Sequence, residues 1–130
     1  VGNQIVESIR AHKTVSKKEA KILAVEILEK VGMPEPEKIM SKYPHMLSGG
    51  MRQRVMIAMA LCCHPLLLIA DEPTGNLDPK NADGVCAIFK EINARGTSVV
   101  MATHNPDFYL NSPFRRLELK QGELLNKEIL

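Results

Sequence analysis

Tryptophan is absent from the chain and aromatic residues make up only 4% of it, which removes the stacking platforms on which single-stranded nucleic acids are held. Charge of one sign is not in excess either. The 17 Lys and Arg stand against 15 Asp and Glu, a formal net charge of +2, so the basic stripe of a nucleic-acid-coating protein is not expected and no nucleic-acid partner is assigned. Long apolar runs are also missing. The longest, Val55 to Cys63, is stopped by His64-Pro65 before Leu66 to Ala70 resumes, and each piece falls well short of the roughly 20 residues a helix needs to cross a bilayer. No charged leader followed by an apolar core and a cleavage site is recognisable at the start. Cysteine is scarce and odd in number. Cys62, Cys63 and Cys86 cannot all pair, and two are neighbours in an apolar run, which fits reduced thiols in the cytosol.

What is present is a globular balance, with 45% hydrophobic and 25% charged residues over 130 positions, enough for one domain that buries roughly two thirds of its unfolded surface. Ser16-Lys17-Lys18-Glu19 has the spacing of a capping box. Ala20, Leu23, Ala24, Ile27, Leu28 and Val31 then recur at three- and four-residue intervals before Gly32 and Pro34, predicting a helix with one apolar face. Val1, Ile5 and Ile9 predict a shorter helix before it, and Pro36 to Tyr43 a brief one ended by Pro44. Beyond Leu66 the pattern becomes alternating strand and helix. Leu66 to Ala70 and Ser98 to Thr103 read as strands buried on both faces, joined by a helix from about Pro79 to Ala94 in a right-handed parallel crossover. Leu117 to Lys120, Gln121-Gly122 and Glu123 to Leu125 predict a closing hairpin. The chain therefore divides into a helical part, residues 1–64, and an α/β part, residues 65–130.

Chemistry concentrates where these elements end. Ligands of open α/β sheets sit beyond the carboxyl ends of the strands, and the first strand ends in Asp71-Glu72, the second in Thr103-His104. An acid there can hold Mg²⁺ beside a nucleotide, a second acid can deprotonate a water, and an imidazole can donate to a phosphoryl oxygen. The plainer reading is that Asp71 caps a turn before Pro73 and that His104 is a satisfied loop histidine. Ser48-Gly49-Gly50 opens a helix running to about Cys63. Its free N–H groups and positive dipole end suit an anion, and the missing side chains let a phosphate approach; an ordinary helix cap is the alternative. Cys62-Cys63-His64 is not spaced as a metal site, and the seven methionines read as adaptable core filler.

Taken together, these segments resemble the ATP-binding cassette ATPases, a P-loop NTPase family. The resemblance rests on the signature Leu47-Ser48-Gly49-Gly50, the Walker B strand Leu66 to Asp71, the adjacent Glu72, the D-loop Gly75-Asn76-Leu77-Asp78 and the switch histidine His104. It implies an α/β fold made of a helical subdomain and part of the ATPase core. By resemblance, Asp71 would hold Mg²⁺ through water, Glu72 would be the general base and His104 would contact the γ-phosphate. Ser48, Gly49 and Gly50 would touch the ATP held by a second ATPase subunit in a head-to-tail dimer, with Asp78 lining the interface. Transmembrane permease subunits would be the further partners, at the cytoplasmic face of the membrane.

The resemblance has gaps. None of the eight glycines precedes a lysine, so the G-x-x-x-x-G-K-[ST] phosphate loop of Walker A is absent and no Q-loop glutamine is recognisable. The expectation is a C-terminal portion of a longer ATPase, inactive by itself. Residues 1–74, especially His45 to Leu61 with Met51 in place of the usual signature glutamine, resemble oligopeptide, dipeptide or nickel importers. Gly75 to Asp78 and Met101 to Asn105 look more like cell-division or lipoprotein-release ATPases, as in a mosaic or an uncommon branch member. Peptide-like import is the expected role. An ATPase of division, lipoprotein release or export, or a non-catalytic docking piece, is the alternative.

Overall fold

The computed structural model describes residues 1–109 and 113–125. Four helices come first: α1 (Gly2–His12), α2 (Lys17–Lys30), α3 (Pro36–Ser41) and α4 (Gly49–Leu61), with a 3-10 turn over Pro44–Met46 before α4. Strand β1 (Leu67–Asp71), helix α5 (Pro79–Ala94), strand β2 (Ser98–Ala102), the short helix α6 (Pro106–Tyr109) and the strands β3 (Glu118–Lys120) and β4 (Glu123–Leu125) follow.

The capping box forms as the spacing predicts. Glu19 N–H donates to Ser16 Oγ at 3.2 Å and Ser16 N–H donates to Glu19 Oε2 at 2.8 Å, satisfying two donors that the first turn of α2 leaves without helical acceptors. Ala20, Ala24, Ile27, Leu28 and Val31 are buried on one side of α2, against Ile5 and Ile9 of α1 and Val55 and Ala58 of α4. Burying a side chain such as Leu28 contributes roughly 1.5–3 kcal/mol. The same apolar cluster continues through Leu68 of β1 to Val85, Ile88, Phe89 and Ile92 of α5, so helices and sheet share one core. Two boundaries differ from the sequence pattern: α3 stops at Ser41, and Pro44 opens the 3-10 turn, a position where the missing proline N–H costs nothing.

Strands β1 and β2 pair in parallel, with Leu68 opposite Val99 and Asp71 opposite Ala102, and α5 connects them. The expectation that both strand faces are buried does not hold. Leu68, Ala70, Val99 and Met101 pack toward the core, whereas Leu67, Ile69 and Val100 on the other face are 50%, 72% and 54% exposed. Strand side chains alternate between faces, and among the described residues helices cover only one of them. Strands β3 and β4 pair antiparallel across Gln121-Gly122. Both turn residues have positive φ, 50° and 83°, the geometry of a type I′ hairpin and the reason a glycine sits there.

Candidate phosphate and metal site

The ladder of β1 and β2 runs one step past the strands, where Glu72 N–H donates to Ala102 C=O at 2.9 Å. That bond sets Glu72 against the segment leaving β2. His104 N–H donates to Glu72 Oε1 at 2.8 Å, His104 Nδ1 lies 2.8 Å from the same oxygen, and Thr103 Oγ1 lies 3.4 Å from Oε2. Asn105 N–H in turn donates to Thr103 Oγ1 at 3.1 Å. Glu72 holds a left-handed φ of 43°, uncommon for a side-chain-bearing residue and of the kind that clusters at functional sites. The imidazole hydrogen bond, with help from the His104 N–H and the Thr103 hydroxyl, outweighs desolvation and holds the Glu72 carboxyl below its usual range, so it is anionic at neutral pH.

The chemistry of this pair is specific. With the Nδ1 proton given to Glu72, the Nε2 of a neutral His104 can only accept; it donates outward only when the ring carries both protons. Asp71, the last residue of β1, is exposed and its carboxylate has no hydrogen-bond or ion-pair partner among the described residues. No cluster of three or more His, Cys, Asp or Glu that could cage a metal ion occurs among those residues. A lone free carboxylate fits Mg²⁺, which keeps several waters and binds through one or two carboxylates plus phosphate oxygens.

Helix α4 begins with Ser48 as its N-cap, Oγ accepting from Met51 N–H at 3.3 Å. That leaves the N–H groups of Gly49 and Gly50 without helical acceptors and the Ser48 O–H free to donate. Ser48 is exposed, Gly49 half-buried and Gly50 buried. A neighbouring side chain crowds the second glycine. A Cβ at Gly50 would fall 2.7 Å from Asn81 Oδ1, in the first turn of α5, and one at Gly49 would fall 3.4 Å from Leu77 Cδ2, in the turn before it. In that turn Asp78 caps α5, accepting from Asn81 N–H at 3.1 Å and from Asn81 Nδ2 at 2.6 Å. Asn81, through both bonds, lowers the Asp78 carboxyl below its usual range.

The structure thus joins Glu72, His104 and Thr103 directly, leaves Asp71 next to Glu72 in the chain, and sets Gly49 and Gly50 against the segment Asn76 to Asn81 around Asp78. Sequence reasoning missed two residues. Asn81 had a signal, since Asp78 and Asn81 have the cap-to-N3 spacing of a helix start. Arg54 had none. Its Nη1 donates to Val31 C=O at 2.7 Å and Gly32 C=O at 3.3 Å, capping α2 from a helix 22 or 23 residues away in sequence.

Comparison with known proteins agrees with this layout. The ABC transporter family profile matches residues 3–75, more than half of the chain. This chain belongs to the ABC transporter family. It is 46% identical over 124 residues to the glutathione import ATP-binding protein GsiA of Escherichia coli (strain K12), covering 95% of this chain and 20% of that one. It is 51% identical over 106 residues to the oligopeptide transport ATP-binding protein AppD of Bacillus subtilis (strain 168), covering 81% and 32%. Among solved structures it superposes on a dimeric ATP-binding cassette in a post-hydrolysis state bound to ADP and Pi, with TM-score 0.68 and 31% identity, covering 79% and 45%. The chain therefore spans a fifth to under half of the length of these relatives. Likeness to an importer ATPase over 124 of 130 residues takes in both halves of the chain, including those whose D-loop and switch segments resemble other branches.

Proposed function

We propose that this chain is the signature-bearing part of an ATP-hydrolysing subunit that powers import of a peptide-like solute. Residues 1–64 form its helical subdomain and residues 65–130 the C-terminal part of its α/β core. The observation that carries the reading is the Glu72–His104 contact across the ends of two parallel strands, where nucleotides bind in such sheets. Glu72, anionic and aimed by three donors, is the base that takes a proton from the attacking water. His104 orients it and, when doubly protonated, offers Nε2–H to the γ-phosphate. Asp71 holds Mg²⁺, which when bound neutralises charge developing on the phosphoryl oxygens. Ser48 O–H and the Gly49 and Gly50 N–H groups donate to the ATP held by a second ATPase subunit, with Asp78 at that interface in a head-to-tail dimer. Transmembrane permease subunits complete the assembly, with this chain peripheral on the cytoplasmic face. No helix among the described residues is long and apolar enough to cross a membrane, in keeping with that place. Identity to glutathione and oligopeptide importers supports import over cell division, lipoprotein release or export.

The test is Glu72→Gln in the full-length subunit. Turnover is expected to fall by roughly 10²–10⁴-fold, the usual contribution of general-base catalysis, with nucleotide binding retained. Unchanged turnover refutes the base assignment and favours a docking piece without catalysis.

A further inference from the structure

Helices α4 and α5 begin side by side, and Asn81 lies between their first turns. One end of its side chain is held by Asp78, Nδ2 donating to Oδ2 at 2.6 Å. The other end is pressed against Gly50, where an added Cβ would lie 2.7 Å from Oδ1, 2.9 Å from Cγ and 3.1 Å from Cβ of Asn81. The first two distances are below any normal contact, and the third leaves no slack, so this is more than the loose tip of a flexible side chain. Gly50 is also helical and does not have positive φ. Backbone conformation therefore does not require glycine there, and in a helix alanine is the better former. A Cβ at Gly49 would meet the preceding segment only at ordinary contact distance, 3.4 Å from Leu77 Cδ2 and 4.0 Å from the Asn76 carbonyl.

We propose that Asn81 is a positioning residue. It sets the height and tilt of the α4 N-terminus against the Asp78 turn, and Gly50 is glycine because Asn81 occupies the space its side chain would need, rather than because a phosphate does. The signature turn and the D-loop are then one rigid unit, and a shift of one displaces the other. This rests on the reading above that the α4 N-terminus grips a phosphate.

A double-mutant cycle in the full-length subunit tests it, with Gly50→Ala, Asn81→Ala and both together, reading kcat and KM for ATP and Tm. Gly50→Ala is expected to lower Tm by several degrees, as overpacking does, and kcat by roughly a hundredfold, the scale of an ångström misplacement. Asn81→Ala alone lowers kcat severalfold with KM for ATP little changed and Tm nearly kept. The double variant recovers most but not all of the kcat and Tm lost in Gly50→Ala, because the Oδ1 and Cγ clashes are gone while the Cβ at position 81, 3.1 Å away, must still give by a few tenths of an ångström. Recovery of Tm without kcat overturns the proposal, because the ligand then requires Gly50 itself. A neutral Gly50→Ala, or additive Tm changes, overturns it as well. If Gly50→Ala alone fails to fold, a folded double variant supports it and an unfolded one overturns it. Should the wild-type subunit show no turnover, the ATPase reading fails while the Tm cycle still decides the Gly50–Asn81 coupling.

Discussion

Arg54 offers a quantitative test of how α2, α4 and α5 are held together. Its guanidinium caps the α2 carbonyls of Val31 and Gly32, and Val31 is fully buried. Arg54→Met keeps most of the stem but removes the donors. The 2.7 Å bond is half-buried and the 3.3 Å bond exposed. A hydrogen bond to a charged group contributes about 1.5–3 kcal/mol and a cation at a helix C-terminus about 0.3–1 kcal/mol. Discounting for partial exposure, the expected loss is about 2 kcal/mol. With an unfolding entropy of about 2.1 cal/mol/K per residue over 130 residues, Tm falls by roughly 7 °C. Urea unfolding followed by far-UV circular dichroism gives the free energy directly.

Gly84 sharpens that test. A Cβ there would fall 2.5 Å from Arg54 Nη2, so in the wild-type background Gly84→Ala forces the guanidinium to shift and part of the helix-propensity gain is offset. In the Arg54→Met background the same change stabilises by roughly 0.5–1 kcal/mol, because only the gain remains. A loss below about 0.5 kcal/mol for Arg54→Met, the level of an ordinary surface change, refutes the capping role.

Three further outcomes are expected. Only Cys63 is exposed, and burial pushes the Cys86 thiol up to about 11 and the Cys62 thiol in the same direction; Ellman titration should find one fast thiol in the native chain and three in denaturant, and three fast native thiols would contradict the buried placement. The Glu72 carboxyl is held below its usual 4.5 chiefly by His104. Its stabilising effect is thus complete above the unfolded value and lost as pH falls through the lower folded one, so His104→Ala should flatten the acid limb of a urea-midpoint profile taken from pH 6 to pH 3, and an unaltered limb would count against the pair. Ile69→Thr with Val100→Thr should reduce binding of an apolar dye and self-association of this chain while keeping strand propensity, read by fluorescence and light scattering; no change would show that the exposed face of β1 and β2 is not the adhesive one.

Much of the fold was legible because its signals are local. The Ser16–Glu19 box, the Asp78-Pro79 start of α5 and the Gln121-Gly122 turn each act through bonds spanning three residues or fewer, and each element stands where its residues predict it. The placement of Asp71, Glu72 and His104 at neighbouring strand ends was legible too, since each ends or follows an apolar run with strand character in an α/β pattern. The one-sided burial of β1 was not, because a run such as Leu66 to Ala70 reads the same whether one face or both is covered. The reason for Gly50 was hidden for a related cause: a glycine at a helix start suits an approaching phosphate and a neighbouring side chain equally well.

By itself, then, the order of residues determined where helices and strands begin and which carboxylates and imidazole end them, since capping, alternation and turn chemistry depend on near neighbours. Tertiary structure alone decided that His104 spends its Nδ1 on Glu72, that Arg54 caps a helix 23 residues back, and that Asn81 fills the space above Gly50. Those contacts join segments far apart in the chain, and only packing against a shared core brings them within hydrogen-bond reach.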